Sequence, residues 1–170
     1  MAGLKIVPTF LAAHKTDYSF FINAANELTS EQLWDRQLGN NSIANLLCHI
    51  AEMERFWIDS GLFGEHIERE REIEFSRTAD LTPKQLVSRL TERCDLTQTK
   101  VADVTLENLE RPRPFHGDEM TGAGILMWHT RHLGLHQGQI IMLKRLVAGL
   151  CKIRIIPVVI ADMFININIL

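Results

Sequence analysis

Apolar residues recur along most of the chain at intervals of three and four, the period of an amphipathic helix, and prolines and glycines interrupt them sparsely. Four long helices follow from this pattern. The first runs from about Pro8 to Leu28, with Leu11, His14, Tyr18, Phe21, Ile22 and Ala25 along one stripe. The second opens at Ser42, a side-chain cap after Gly39, Asn40 and Asn41, and runs to about Ser60, where Gly61 and Gly64 stop it. The third has a strong start, since Thr82 caps, Pro83 suits the first helical position and Gln85 completes a capping box. Its stripe is Leu86, Leu90, Cys94, Thr97, Val101 and Val104. After a loop from Arg111 to Asp118, the fourth helix runs from about Thr121 to Ala148, with Gly149 placed to end it.

The connection from Gly61 to Leu81 is long enough to cross the end of a bundle, so helices two and three can run parallel. The fold class is therefore all-α, a four-helix bundle over residues 1–150 with a long crossover between helices 2 and 3. Residues 151–170 form an apolar C-terminal extension of different character. Its stretch from Phe164 to Ile169 alternates with period two, which reads as a strand-like tail packed on its own bundle or as a subunit contact. Arg154, Pro157, Asp162, Asn166 and Asn168 interrupt it, so it is not read as membrane-spanning.

Composition narrows the class. With 170 residues and a formal charge of −3, one domain has enough chain for a full core and no electrostatic reason to bind a polyanion. Nor is there a basic stripe with interleaved aromatics, so no nucleic acid is expected. Cysteines at 48, 94 and 151 are odd in number and widely spaced, which excludes a disulfide framework and a cysteine zinc knuckle. A reducing, cytoplasmic location follows, and the first residues have no signal-peptide pattern.

The chemistry lies in the histidines. Three of the seven, His129, His132 and His136, fall on the fourth helix. At about 100° per residue they lie together in the middle of its buried stripe, with Gln139 beside them. An unpartnered buried polar group costs about 1 to 3 kcal/mol, so these rings need partners. No carboxylate occurs between Thr121 and Leu150 to supply them. The i, i+4 spacing of His132 and His136 lets both rings chelate one divalent ion, with His49 on the second helix the best third ligand. The alternative is a set of hydrogen-bonded core histidines. His129 can replace either ligand or stand behind them, and His14 reads as a core or supporting residue. His66 and His116 fall in loops and read as solvated. Glu52 either faces the cavity or is a solvated carboxylate.

The segment from Asn41 to Trp57, with His49 within it, and the segment from Trp128 to Ile140, with His132, His136, Gly138 and Gln139, together resemble the DinB superfamily of metalloenzyme-like proteins. The resemblance covers about residues 8–150. It implies a four-helix bundle with a crossed connection, metal ligands His49, His132 and His136, and nickel or zinc as the usual occupant. Relatives with known chemistry use low-molecular-weight thiols, in mycothiol-dependent isomerisation and bacillithiol transfer. Three histidines leave an ion with open positions, the catalytic arrangement. With no evident general base, a metal-dependent thiol S-transferase acting on a small electrophile is the first expectation. A metal-dependent hydrolase or a non-catalytic metal-binding stress protein is the alternative. Arg111 and Arg113 read as surface charge, or as contacts for an anionic thiol cofactor if their loop roofs the cavity. A homodimer is expected.

Overall fold

The computed structural model describes residues 5–36, 41–69, 71–75 and 81–149. The C-terminal extension, with its strand-like reading and Cys151, lies outside the described residues, as do residues 37–40. Four long helices are present: α1 (Ile6–Asn26), α3 (Ile43–Glu54), α5 (Pro83–Ala102) and α7 (Gly122–Val147), accompanied by the short α2 (Ser30–Trp34), α4 (Arg71–Phe75) and α6 (Leu106–Glu110). Strands β1 (Pro112–Phe115) and β2 (Asp118–Thr121) pair antiparallel. The predicted caps form as expected. Ser42 accepts from Asn45 N–H, and Thr82 accepts from Gln85 N–H, each in a reciprocal capping box.

Beyond Glu54 the third helix continues as a π-helical turn, Arg55–Leu62, in which Phe63 N–H reaches back five residues to Ile58 O. A hydrophobic pattern of period 3.6 gives no hint of this widening. Trp57, Ile58, Asp59 and Leu62 are all buried on it, more than one narrow stripe would bury.

Two apolar clusters give the direction of the four long helices. One gathers Phe21, Ala25, Ala44, Leu47, Leu86, Leu90, Leu133 and Ile140. The other gathers Val7, Phe10, Ile58, Leu62, Val101, Val104 and Leu126. The starts of α3 and α5 thus share one end of the bundle, together with the ends of α1 and α7. Helices α3 and α5 run parallel, α1 and α7 run the other way, and the chain between Leu62 and Thr82 makes the predicted crossover. Helices α1 and α3 each pack on both α5 and α7.

The loop expected at 111–118 is a hairpin. Its two-residue turn is His116-Gly117, with φ of 52° and 84°. Both central residues in the left-handed region is the signature of a turn whose twist matches paired strands, and Gly117 takes that conformation without strain. Gly122, the first residue of α7, is required for closeness: a Cβ there would lie 2.1 Å from Asn108 O.

Candidate metal centre

His49 projects from α3 and His132 and His136 project from α7, antiparallel neighbours. Their Nε2 atoms converge: His132 Nε2 lies 3.3 Å from His49 Nε2 and 2.9 Å from His136 Nε2. The predicted trio is therefore assembled, and all three donor atoms fall within 4.8 Å of one another.

The far side of two rings decides where their protons are. His49 Nδ1 lies 2.8 Å from Glu74 Oε2, and His136 Nδ1 lies 2.6 Å from Gln139 Oε1. Both partners accept only, so both rings carry their proton on Nδ1. Their Nε2 lone pairs then face a third Nε2 across a gap that holds at most the one proton of His132. Repulsion of this kind is relieved by a cation. The two separations lie close to the edge of about 3.0 to 3.4 Å expected between ligands about 2.1 Å from a shared ion.

Electrostatics point the same way. Burial and the neighbouring imidazoles push the His136 pKa down to about 4 and drive that of His132 well below the ordinary histidine range. Neutral rings, the form that ligates, are the stable form there. His132 Nδ1 is buried without a partner. Its ring is held instead by packing edge to face on Trp57, with centroids 4.5 Å apart.

Glu74 was not identified from sequence. It sits on α4 in the crossover, where Arg69 grips it with Nε at 2.6 Å and Nη2 at 2.8 Å. Desolvation raises its pKa, but the His49 and Arg69 contacts outweigh that and lower it. Such outer partners fix ring orientation and raise ligand basicity. The only sequence signal was a carboxylate in a segment that has to climb past α3.

Glu52 does not serve the site. Arg55 and Arg89 both hold it on the flank of α3. His129 does not join the trio either. It and His14 both aim Nε2 at Glu54 Oε2, each at 3.0 Å, in the middle of the bundle. Thus α3 supplies the carboxylate that α7 lacks. Glu54 also accepts from Thr97, and Arg93 grips Asp59 beside it with bonds of 2.7 and 3.1 Å.

His14, Glu54 and His129 are also spaced so that they could hold an ion. Proton placement separates this group from the first. Gln98 Nε2 donates to Leu11 O at 3.0 Å and to His14 Nδ1 at 2.9 Å, which leaves the His14 proton on Nε2, pointing at Glu54. On the His14 side the position a cation would need is taken by hydrogen, while His129 Nδ1 is buried without a partner. This cluster is a satisfied buried carboxylate that ties α1, α3, α5 and α7 together.

The remaining candidates sort by exposure. His66 is in solvent, as read from sequence. His116 is exposed, but its ring packs edge to face on Trp57 and Phe115, so it is not simply solvated. Arg111 and Arg113 lie on the hairpin and line a cavity together with Trp57. Cys48 and Cys94 are buried free thiols whose pKa burial raises, that of Cys94 to about 11.

A family model described as the DinB superfamily matches residues 17–140. Among solved structures, the fold is similar to that of a conserved protein from Enterococcus faecalis, with a TM-score of 0.64 at 16% identity, covering 84% of this chain and 96% of that one. It is also similar to a DinB-like protein from Bacillus cereus ATCC 10987, with a TM-score of 0.61 at 18% identity, covering 82% and 91%. No curated protein matches the sequence.

Proposed function

Because this chain belongs to the DinB superfamily, we propose that it is a metal-dependent enzyme in which His49, His132 and His136 hold nickel or zinc and a low-molecular-weight thiol is transferred to a small electrophile. One observation carries the metal: the Nε2 atoms of His49, His132 and His136 converge, while carboxylate and amide oxygens of Glu74 and Gln139 meet the Nδ1 atoms of His49 and His136. Bound by these rings, a divalent ion supplies Lewis acidity, which makes a nucleophile of a thiol or of water at neutral pH.

The chain's own groups favour an external thiol over water. Neither described cysteine is a nucleophile, since both thiols are buried and held protonated. The carboxylates nearest the ligands are engaged, Glu74 by Arg69 and His49 and Glu52 by Arg55 and Arg89. A hydrolytic step draws on a base to take the proton from water, whereas an ionised thiol attacks without one. In the transfer, sulfur bonds to the substrate carbon, the leaving group departs with its electron pair and the thiol proton passes to solvent.

We place the homodimer contact on α7, where Met127, Leu135 and Met142 are 66%, 51% and 49% exposed. The cytoplasm is the compartment that fits the free cysteines, and no helix among the described residues is long and apolar enough to cross a membrane.

The test is elemental analysis of the purified protein and of His132→Ala, followed by turnover of a generic electrophile with several thiols. Stoichiometric nickel or zinc, lost in the variant, with turnover that rises with added thiol, is the expected result. Turnover that ignores thiol favours the hydrolase, and metal without any turnover favours a non-catalytic metal-binding protein. A folded wild type that binds no metal defeats the proposal.

A further inference from the structure

Between the π-helical turn and the β1–β2 hairpin lies a cavity of about 680 Å³, within the size range of small-molecule sites. Its apolar walls include Phe56, Trp57, Phe63 and Phe115, and its basic side is Arg111 and Arg113. Two of the lining residues have buried polar atoms with no partner, Trp57 Nε1 and Arg113 Nε. Both are donors and neither can accept, so what is missing is an acceptor. A buried donor left unmade costs about 1 to 3 kcal/mol, and two residues of the cavity wall carry one each.

Charge gives the same reading. Arg55, Arg69, Arg89, Arg93 and Lys100 each have a carboxylate partner. Arg111 and Arg113, which line the cavity, have no carboxylate within ion-pair distance among the described residues, and Glu107 attracts Arg113 only from farther away. Burial, and then the like charge of Arg111, lower the pKa of Arg113. The hairpin turn holds the pair of arginines against the π-helical turn, where the guanidinium of Arg113 passes over Gly64, close enough that a Cβ there would meet it at 3.0 Å.

We propose that this cavity is the binding site for a small molecule with an anionic oxygen head on a compact apolar body. Arg111, Arg113 and the indole N–H of Trp57 take the head, and Phe56, Phe63 and Phe115 take the body. Planar bidentate pairing with guanidinium suits a carboxylate best. Trp57 also packs on His132, so the ligand lies beside the histidine cluster. The inference rests on the transferase reading for its role as substrate or cofactor site, while binding itself uses only protein donors.

The experiment titrates benzoate, benzamide, phenyl phosphate and inorganic phosphate into the ¹⁵N-labelled protein as purified, following the indole N–H signals, with that of Trp57 assigned by Trp57→Phe. Benzoate should shift the Trp57 signal saturably and bind about tenfold or more tightly than benzamide. Arg111→Gln and Arg113→Gln should each weaken it about tenfold, and removal of metal with a chelator should leave it in place. Tighter binding of phenyl phosphate than benzoate keeps the anion site and assigns it to phosphate esters. Inorganic phosphate should bind least among the anions, because it lacks the apolar body. Equal affinity for benzoate and benzamide, no saturable shift, or binding that survives both arginine changes but not removal of metal with a chelator would overturn the inference. A protein that binds benzoate but no metal sinks the metal reading and leaves this one standing.

Discussion

His49 Nδ1 and Glu74 Oε2 lie 2.8 Å apart, although 25 residues and the start of the crossover separate them. That bond holds the His49 proton away from the cluster and leaves its Nε2 to ligate. The crossover therefore supports the candidate metal centre as well as connecting two helices. Glu74→Gln should weaken metal affinity by about 10 to 100-fold while leaving the helical content intact, because an amide orients the ring less firmly and makes it less basic. Competition against a chelating dye measures this. Unchanged affinity would mean that His49 needs no such orientation.

Metal stoichiometry separates the two histidine groups. One ion per chain is expected, lost on His136→Ala and retained on His14→Gln, because the proton of His14 already points at Glu54. Two ions per chain by elemental analysis would contradict the proton placement argued above.

Glu54 is fully buried, and its value as a structural anchor should show in stability. Burial raises its pKa, but the His14 and His129 imidazoles outweigh this and hold it far below its ordinary 4.5. The unfolded chain therefore takes up a proton that the folded one refuses. The resulting stability is complete above about pH 4.5 and is lost as pH falls toward the folded value. Urea midpoints measured from pH 7 to pH 3 should fall more steeply in the wild type than in Glu54→Gln. Parallel slopes would rule this contribution out. Glu54→Ala, which strands Arg93 and two imidazoles in the core, should cost about 3 to 5 kcal/mol.

On α7, Leu135 is 51% exposed and Met142 49%, with open space where Gly134 and Gly138 would carry a Cβ. Leu135→Glu should convert a dimer to a monomer in sedimentation equilibrium without lowering the unfolding midpoint of the folded chain. A wild type that is monomeric at every concentration would remove the dimer from the proposal.

The turn at His116-Gly117 holds the wall of the cavity. Gly117→Val places a β-branched residue at φ 84°, which destabilises the hairpin by about 1 to 3 kcal/mol. Benzoate affinity should fall with it while metal content stays the same. Loss of metal instead would show that the hairpin also supports the histidine cluster.

What the order of residues determined by itself was everything that depends on local period. The helical stripes, the caps at Ser42 and Thr82 and the i, i+4 pair His132 and His136 follow from 3.6 residues per turn, whatever the rest of the chain does. The length of the segment after Gly61 was enough to read the crossover, since a long connection can span a bundle where a short one cannot. The family pattern of His49 with the later pair was visible too, because both segments are short and carry their own spacing.

The tertiary structure decided which polar group meets which. Glu54 answers His129 from another helix, Glu74 answers His49 from the crossover, and Glu52, one turn from His49, faces Arg55 and Arg89 instead. Hydrogen bonds act over about 3 Å and depend on the direction of the donor, so contacts between segments far apart in the chain exist only once packing has set each helix's rotation. The π-helical turn and the hairpin are decided in the same way. Neither has a hydrophobic period of its own, and both form where the surrounding core buries Trp57 and Phe115.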